Sequence, residues 1–286
     1  MQIRSWMLAA LATVPGVSEV ASVGGVDGSI SLGEGYNTVT YQNNSTSFGD
    51  NFNELDGLFA LLNGSKLNIG VTGNLSSGNA IVLYLDTQAG GNNVLNAFGG
   101  GVPSYVSGQN GMRFDAGFAP DVAIALNRFS NDVYYDIIDL VNGGGFYLGT
   151  HPISGGGTIG TGPAWFDNSN TLGVGGGTGF DNGSSASTGL ELDLNLASVI
   201  PSVKMMAMLT NNGDGFSSNQ VLGGLGGGYD HLAFGPGGWS GNSRIDFQNI
   251  AGDQCLLVTN VVPEPGTLLA IGAGLAGLLA RRRRKS

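Results

Sequence analysis

The sequence predicts an all-β protein, an antiparallel β-sandwich whose strands are joined by glycine-rich loops. Apolar and polar residues alternate with a period of two along several short segments, which is typical of strands that turn one face to a core. Glycine makes up 52 of the 286 residues, and Gly, Asn and Ser separate those segments as in turns. The middle of the chain sustains no helical period. These features favour one sandwich from about residue 28 to residue 260.

The clearest strand covers residues 190–196. Leucines alternate there with polar residues, in the order Leu190, Glu191, Leu192, Asp193, Leu194, Asn195, Leu196. Because successive side chains of a strand point to opposite faces, the leucines are expected in the core and the acids in water.

A hairpin is predicted earlier in the chain. Residues 58–62 and 66–71 have the composition of strands, and Asn63-Gly64-Ser65 between them favours a tight turn with positive φ. A short helix over residues 54–62 is the alternative.

Further strands are predicted from their apolar and β-branched residues, at 80–86, 121–126, 133–140, 204–210, 244–247 and 256–260. Five glycine triplets are expected in loops between strands, at 99–101, 143–145, 155–157, 175–177 and 226–228. Residues 155–160 also match a dinucleotide-binding glycine pattern, but no helix is predicted after it, and chance explains the match.

The first 22 residues have the pattern of a secretory signal peptide. Arg4 precedes a short apolar run at residues 6–14, and Val20 and Ser22 suit cleavage before Val23. An amphipathic or buried first helix is the alternative. The exported domain would then span residues 23–261.

The last 25 residues combine three signals in order. Prolines in the box Val262, Pro263, Glu264 and Pro265 keep the chain extended and out of helices. Residues 266–280 are apolar or small except for Thr267; as a helix they would span about 22 Å, short of a ~30 Å hydrocarbon core, so this single transmembrane helix would insert weakly. A basic cluster follows, which predicts a cytoplasmic end at residues 281–286: Arg281, Arg282, Arg283, Arg284 and Lys285.

This tail resembles the PEP-CTERM sorting signal of Gram-negative bacteria, in which a Val-Pro-Glu-Pro box, a short membrane helix and an arginine-rich end follow one another. The resemblance implies that an exosortase, a membrane-embedded transpeptidase-like enzyme, reads Pro263, Glu264 and Pro265 and removes the helix. The chain would be held in the inner membrane until then, and would end at the cell surface or in the extracellular matrix. An ordinary C-terminal anchor with a proline linker is the alternative.

The charge of the predicted domain excludes one class of partner. Residues 23–261 contain nineteen acidic residues against five basic ones, a net charge of −14, compared with −10 for the whole chain. Nucleic acids and anionic lipids are therefore not expected to bind. The single cysteine, Cys255, excludes an intramolecular disulfide and is expected as a buried thiol in a strand.

No catalytic constellation is recognisable, so the sequence predicts a protein that is not an enzyme. The two histidines, His151 and His231, lie eighty residues apart in loops rich in Gly and Pro, and with one cysteine they make no zinc site at ordinary spacing. A hydrolase that uses two of the many acids on a polysaccharide is the alternative function, although the linear order singles out no pair.

Calcium is the one cofactor that the sequence suggests. Two glycine-bent loops offer hard oxygen ligands, the first starting at Asp86 and the second containing Asn211 and Asp214. Asx-rich turns without metal explain the same residues equally simply.

Sugar binding is suggested by Trp165 and Trp239, whose rings could stack on a pyranose; burial in the core is the alternative for each. The order of segments in residues 58–215 is also similar to that of family nine carbohydrate-binding modules and DOMON-like sandwiches. That resemblance implies a jelly-roll or DOMON-like topology and a sugar ligand. The sequence as a whole predicts an exported, exosortase-processed surface or matrix protein that binds extracellular polysaccharide.

Overall fold

The computed structural model describes residues 24–43, 45–46, 48, 52–174, 183–213, 216–223, 245–250 and 252–261. They form two antiparallel β-sheets packed face to face, with only short helical turns. The predicted all-β class is confirmed.

Thirteen strands are present in the described part of the chain. In order they are β1 Thr38–Tyr41, β2 Glu54–Asn63, β3 Lys66–Asn74, β4 Asn79–Asp86, β5 Val122–Phe129, β6 Asp132–Asp139, β7 Gly145–Pro152, β8 Gly155–Ile159, β9 Gly162–Phe166, β10 Gly189–Asn195, β11 Ser202–Asn211, β12 Ser217–Leu222 and β13 Leu256–Thr259. One helix, α1 Ser104–Ser107, lies between β4 and β5.

The first sheet has the strand order β1-β2-β3-β10-β9-β8, and the second has the order β12-β11-β4-β5-β6-β7. β13 pairs with the start of β11, on the edge that β12 occupies further along. Sequence neighbours form hairpins at β2–β3, β5–β6 and β6–β7, and β4 pairs with β5 across the long connection that contains α1. The chain passes from the second sheet to the first between β7 and β8, and back between β10 and β11.

The main core lies between the two sheets. It contains the alternate, inward residues of both, such as Leu58 and Ile69 from the first sheet and Leu83 and Ile124 from the second. All four are at most 1 % exposed. At about 25 cal/mol per Å² of buried apolar surface, this layer is the main source of stability.

Each sheet also has a partly covered outer face. The connection between β4 and β5, including α1, packs Tyr105, Phe114 and Phe118 against the outer side of the second sheet, and Phe247 joins the same cluster. The N-terminal segment, residues 24–36, crosses the outer side of the first sheet and buries Ile30 there. The fold therefore has more layers than a simple sandwich.

Most predicted strands are confirmed, including the β2–β3 hairpin, in which Gly64 adopts φ 63°. The alternative helix over residues 54–62 is wrong. The strand predicted at 244–247 is also wrong, since Asp246 makes one isolated bridge and caps a 3-10 turn, Phe247–Asn249. The glycine triplet at 155–157 lies in strand β8 and not in a loop.

The acids of β10 were expected in water, and this is wrong as well. Leu190, Leu192 and Leu194 do face the main core, but Glu191 and Asp193 are buried on the opposite face. The N-terminal segment covers Glu191, and Asp193 is engaged by Lys66 and Asn68. For Glu191, burial by a distant segment therefore overrides the exposure that local alternation predicts.

Candidate functional site

An exposed tyrosine lies beside a half-buried acid on the outer face of the second sheet. In the cross-strand register, Asp136 of β6 is directly opposite Tyr147 of β7, and the next row pairs Asn127 with Tyr134. Ala125, the partner of Asp136 in β5, packs in the cluster on the outer side of the second sheet. The side chains of this row therefore point to the outer face. We call Asn127, Tyr134, Asp136 and Tyr147 the tyrosine patch.

Exposure distinguishes the tyrosine patch from the rest of this face. Tyr147 is 60 % exposed, while the other three residues are half-buried. Directly opposed residues of two strands have Cβ atoms about 5 Å apart, so the Tyr147 ring and the Asp136 carboxyl can contact one ligand. The patch therefore offers a ring face together with carboxylate and amide groups.

The electrostatics of the patch are set by burial. Burial raises the pKa of Asp136 above its ordinary value. Burial, and next the charge of Asp136, raise the pKa of the Tyr105 phenol, which packs against the same outer face. Within the described ranges, the Tyr105 hydroxyl has no hydrogen-bond partner. A ligand hydroxyl that bonds to Asp136 would compensate the cost of burying this carboxylate.

Trp165, one of the two predicted sugar platforms, is half-buried in β9 on the outer face of the first sheet. A side chain added at Gly156 or at Gly28 would collide with its indole ring. The ring therefore lies on the glycine backbone of β8 and against the N-terminal segment. This packing leaves less ring surface for a ligand than Tyr147 offers.

Glu191 is the cross-strand neighbour of Trp165 and holds the N-terminal segment in place. Its Oε2 accepts hydrogen bonds from the backbone amides of Asp27 and Gly28, each at 2.7 Å, and its Oε1 accepts one from Tyr36 Oη at 2.9 Å. Burial raises the pKa of this carboxyl, and the three hydrogen bonds oppose that effect. The three donors that bond to Glu191 within the described residues thus all belong to contacts of the fold.

The described residues of the two predicted calcium loops lie at opposite ends of the β4–β11 pair, where Asp86 pairs with Lys204 and Asn211 with Asn79. Asp86 Oδ2 accepts a hydrogen bond from the Ala119 amide at 3.2 Å, and Asn211 Oδ1 accepts one from the Phe216 amide at 3.2 Å. The first bond joins Asp86 to a residue 33 positions further along the chain, and the second spans the connection between β11 and β12, so both oxygens are used in contacts of the fold. Across the described ranges, no three His, Cys, Asp or Glu side chains converge as a metal site.

Two further residues considered from the sequence, Cys255 and His151, are at least half-buried in the fold. Cys255 was expected as a buried thiol in a strand, but it is half-buried and lies just before β13; burial raises the pKa of its thiol to about 11. His151 is buried in β7; its Nε2 lies 2.7 Å from Tyr135 Oη and its Nδ1 lies 2.9 Å from the Pro152 carbonyl oxygen. Since that carbonyl can only accept, Nδ1 carries the proton and Nε2 accepts from the tyrosine.

Several predicted site residues lie outside the described residues. They are Trp239, Asp214, His231, the signal peptide at 1–22, the box Val262 to Pro265, the span 266–280 and the basic cluster Arg281 to Lys285. In the part of the chain that the structure describes, no helix has the length and apolar character of a membrane span.

Comparison with known proteins identifies the C-terminal segment. Residues 261–285 match the family model for the PEP-CTERM protein-sorting motif. The chain carries a PEP-CTERM sorting motif. The resemblance seen in the sequence is thereby confirmed, and the motif supports export, sorting to the cell surface and an exosortase as processing partner.

The rest of this PEP-CTERM chain has no such counterpart. No curated protein and no solved structure matches it. The likeness to DOMON-like and family nine carbohydrate-binding modules therefore stays a prediction. The tyrosine patch was missed at the sequence level because β7 was not predicted, although alternation within residues 133–140 does place Tyr134 and Asp136 on one face.

Proposed function

We propose that the exported domain is a non-enzymatic component of the cell surface or extracellular matrix, and that it binds extracellular polysaccharide through the tyrosine patch. The observation that carries the proposal is the exposed Tyr147 ring directly opposite Asp136. An aromatic face packs against the apolar side of a pyranose, while carboxylate and amide groups bond to its hydroxyls.

The C-terminal segment supports the sorting part of the proposal. Residues 266–280 would hold the chain in the inner membrane, with Arg281 to Lys285 in the cytoplasm, until the exosortase acts at Val262 to Pro265. The acidic domain would then be released to the outer side, where neutral or cationic polysaccharide suits its net charge better than nucleic acid does.

Glycan binding by the purified full-length protein, with and without Ca²⁺, tests the proposal. We expect Tyr147→Ala to weaken binding of any glycan by roughly 5- to 150-fold, taking stacking on one aromatic ring to contribute of the order of 1–3 kcal/mol. Phe52→Ala is the matched control, because Phe52 is 71 % exposed but lies two residues before β2, a strand of the other sheet.

Three outcomes would contradict parts of the proposal. Binding that is lost in Trp165→Ala or Trp239→Ala but kept in Tyr147→Ala would place the sugar platform elsewhere. Absence of binding under both conditions would leave a purely structural surface role. Depolymerisation of the polysaccharide would favour the hydrolase.

A further inference from the structure

One end of the first sheet, where β2 begins and β3 ends, buries polar side chains. Glu54 and Asp56 of β2 are fully buried, and Asn74 of β3 is 2 % exposed. Glu54 and Asn74 are direct cross-strand partners, and a bulge between Leu55 and Gly57 places Asp56 outside the regular register. The three side chains belong to one end of one sheet.

The connection between β9 and β10 closes over these side chains. Asn170 Nδ2 donates hydrogen bonds to Asp56 Oδ2 at 2.8 Å and to the Leu172 carbonyl oxygen at 2.7 Å, and Glu54 Oε1 lies 3.4 Å from the same nitrogen, so this amide nitrogen lies close to both carboxylates. The Val174 amide donates to Asp56 Oδ1 at 2.9 Å. A side chain at Gly173 would collide with the Asp56 carboxylate, so the loop backbone reaches the acid directly.

Asn74 supplies an independent observation. Its Nδ2 donates to the backbone carbonyls of Asn168 at 3.2 Å and Asn170 at 3.0 Å, which fixes the orientation of the amide because carbonyl oxygens only accept. Its Oδ1 is buried and, within the described part of the chain, receives no hydrogen bond; Thr72 Oγ1, two residues earlier on the same face, is in the same situation. Such a buried oxygen costs about 1–3 kcal/mol unless a ligand satisfies it.

We propose that Glu54, Asp56 and Asn74 bind a calcium ion. The set consists of two carboxylates and an amide oxygen, which are hard ligands that Ca²⁺ accepts in an irregular shell of six to eight oxygens. It contains no sulfur or imidazole, which would favour zinc or copper. Loop carbonyls and water would complete the shell. This site is separate from the turns at Asp86 and Asn211.

The ion would have a definite structural effect. It would join strands β2 and β3 to the residues 167–174 that follow β9, through ligands at one end of the sheet. It would also neutralise carboxylate charge in a place without solvent and satisfy the Asn74 oxygen.

Calcium titration of the full-length protein, after removal of metal with EDTA, tests the site. We expect one Ca²⁺ per chain by calorimetry and a Tm in 1 mM Ca²⁺ that is roughly 5 °C above the Tm in EDTA, as for a Kd of about 10 μM. Glu54→Gln, which keeps the shape of the side chain, should weaken Ca²⁺ binding at least tenfold and remove most of the Tm shift. Asp86→Asn is the control and should bind as the parent does.

Equal Tm values in Ca²⁺ and EDTA, with no binding heat, would overturn the proposal. So would unchanged binding in Glu54→Gln, or loss of binding in Asp86→Asn. If Glu54→Gln does not fold, Asn74→Ala, which leaves both carboxylates in place, serves instead and must show weaker binding than the parent.

Discussion

The hydrogen bonds of Glu191 make the attachment of the N-terminal segment open to a direct test. Glu191→Ala would remove the acceptor of the Asp27 and Gly28 amides and of the Tyr36 hydroxyl. A buried donor without an acceptor costs about 1–3 kcal/mol. Because Asp27 is only partly buried and water would reach a loosened segment, we expect a loss of about 3 kcal/mol in the free energy of unfolding.

Glu191→Gln is the matched variant. A glutamine oxygen can accept from both backbone amides, and its nitrogen can donate to the Tyr36 hydroxyl oxygen. The pKa of Glu191 is raised in the folded state, so the contribution of the acid is fully present below its ordinary pKa and is lost as pH rises through the raised pKa. Glutamine resembles the protonated acid, and it should keep that contribution at every pH.

Urea unfolding of parent and variants at pH 4 and pH 7 provides the measurement. We expect Glu191→Gln to gain stability relative to the parent between pH 4 and pH 7, and Glu191→Ala to be destabilised at both. A Gln variant as unstable as the Ala variant, or a parent–Gln difference that does not change with pH, would refute this account of the segment.

Other buried contacts give further predictions. His151→Phe should remove part of the stability loss that the parent shows as pH falls below about 6.5, because burial lowers the pKa of His151 in the folded state. The same substitution leaves the Tyr135 hydroxyl without its partner, at a cost of about 1–3 kcal/mol, and adding Tyr135→Phe to this variant should recover part of that cost in the same titration. Gly156→Ala should cost about 1–3 kcal/mol by thermal unfolding through collision with the Trp165 ring, and Trp165→Ala in the same chain should recover part of that cost; full additivity would contradict the contact. Cys255 should react with iodoacetamide at pH 8 far more slowly in the folded than in the unfolded chain, and equal rates would show that its thiol is not protected by burial.

Local alternation was sufficient to predict the strands that form the main core. Leu190, Leu192 and Leu194 face it as expected, because strand geometry fixes which residues share a face. The surroundings of the opposite face were not predictable in this way. Glu191 is buried by residues 24–36, a segment without periodic pattern that lies more than 150 positions away along the chain.

Glycine content did not predict the strands in the part of the chain that follows β6. The triplet at 155–157 has the composition of a loop, yet the segment pairs as a strand, and the Trp165 ring fills the side-chain position of Gly156. Because β7 was missed as well, Tyr147 could not be placed beside Asp136. The proposed calcium ligands could not be grouped from the sequence, because a bulge in β2 and a distant loop bring them together and neither has a local sequence signature.

Mass spectrometry of the protein from its native host tests the central claim most directly. An exported PEP-CTERM protein that an exosortase processes should have a C-terminus near residues 262–265, and deletion of the exosortase gene should restore the longer chain. A mature surface form that still carries Arg281 to Ser286 in the presence of the exosortase would contradict the account.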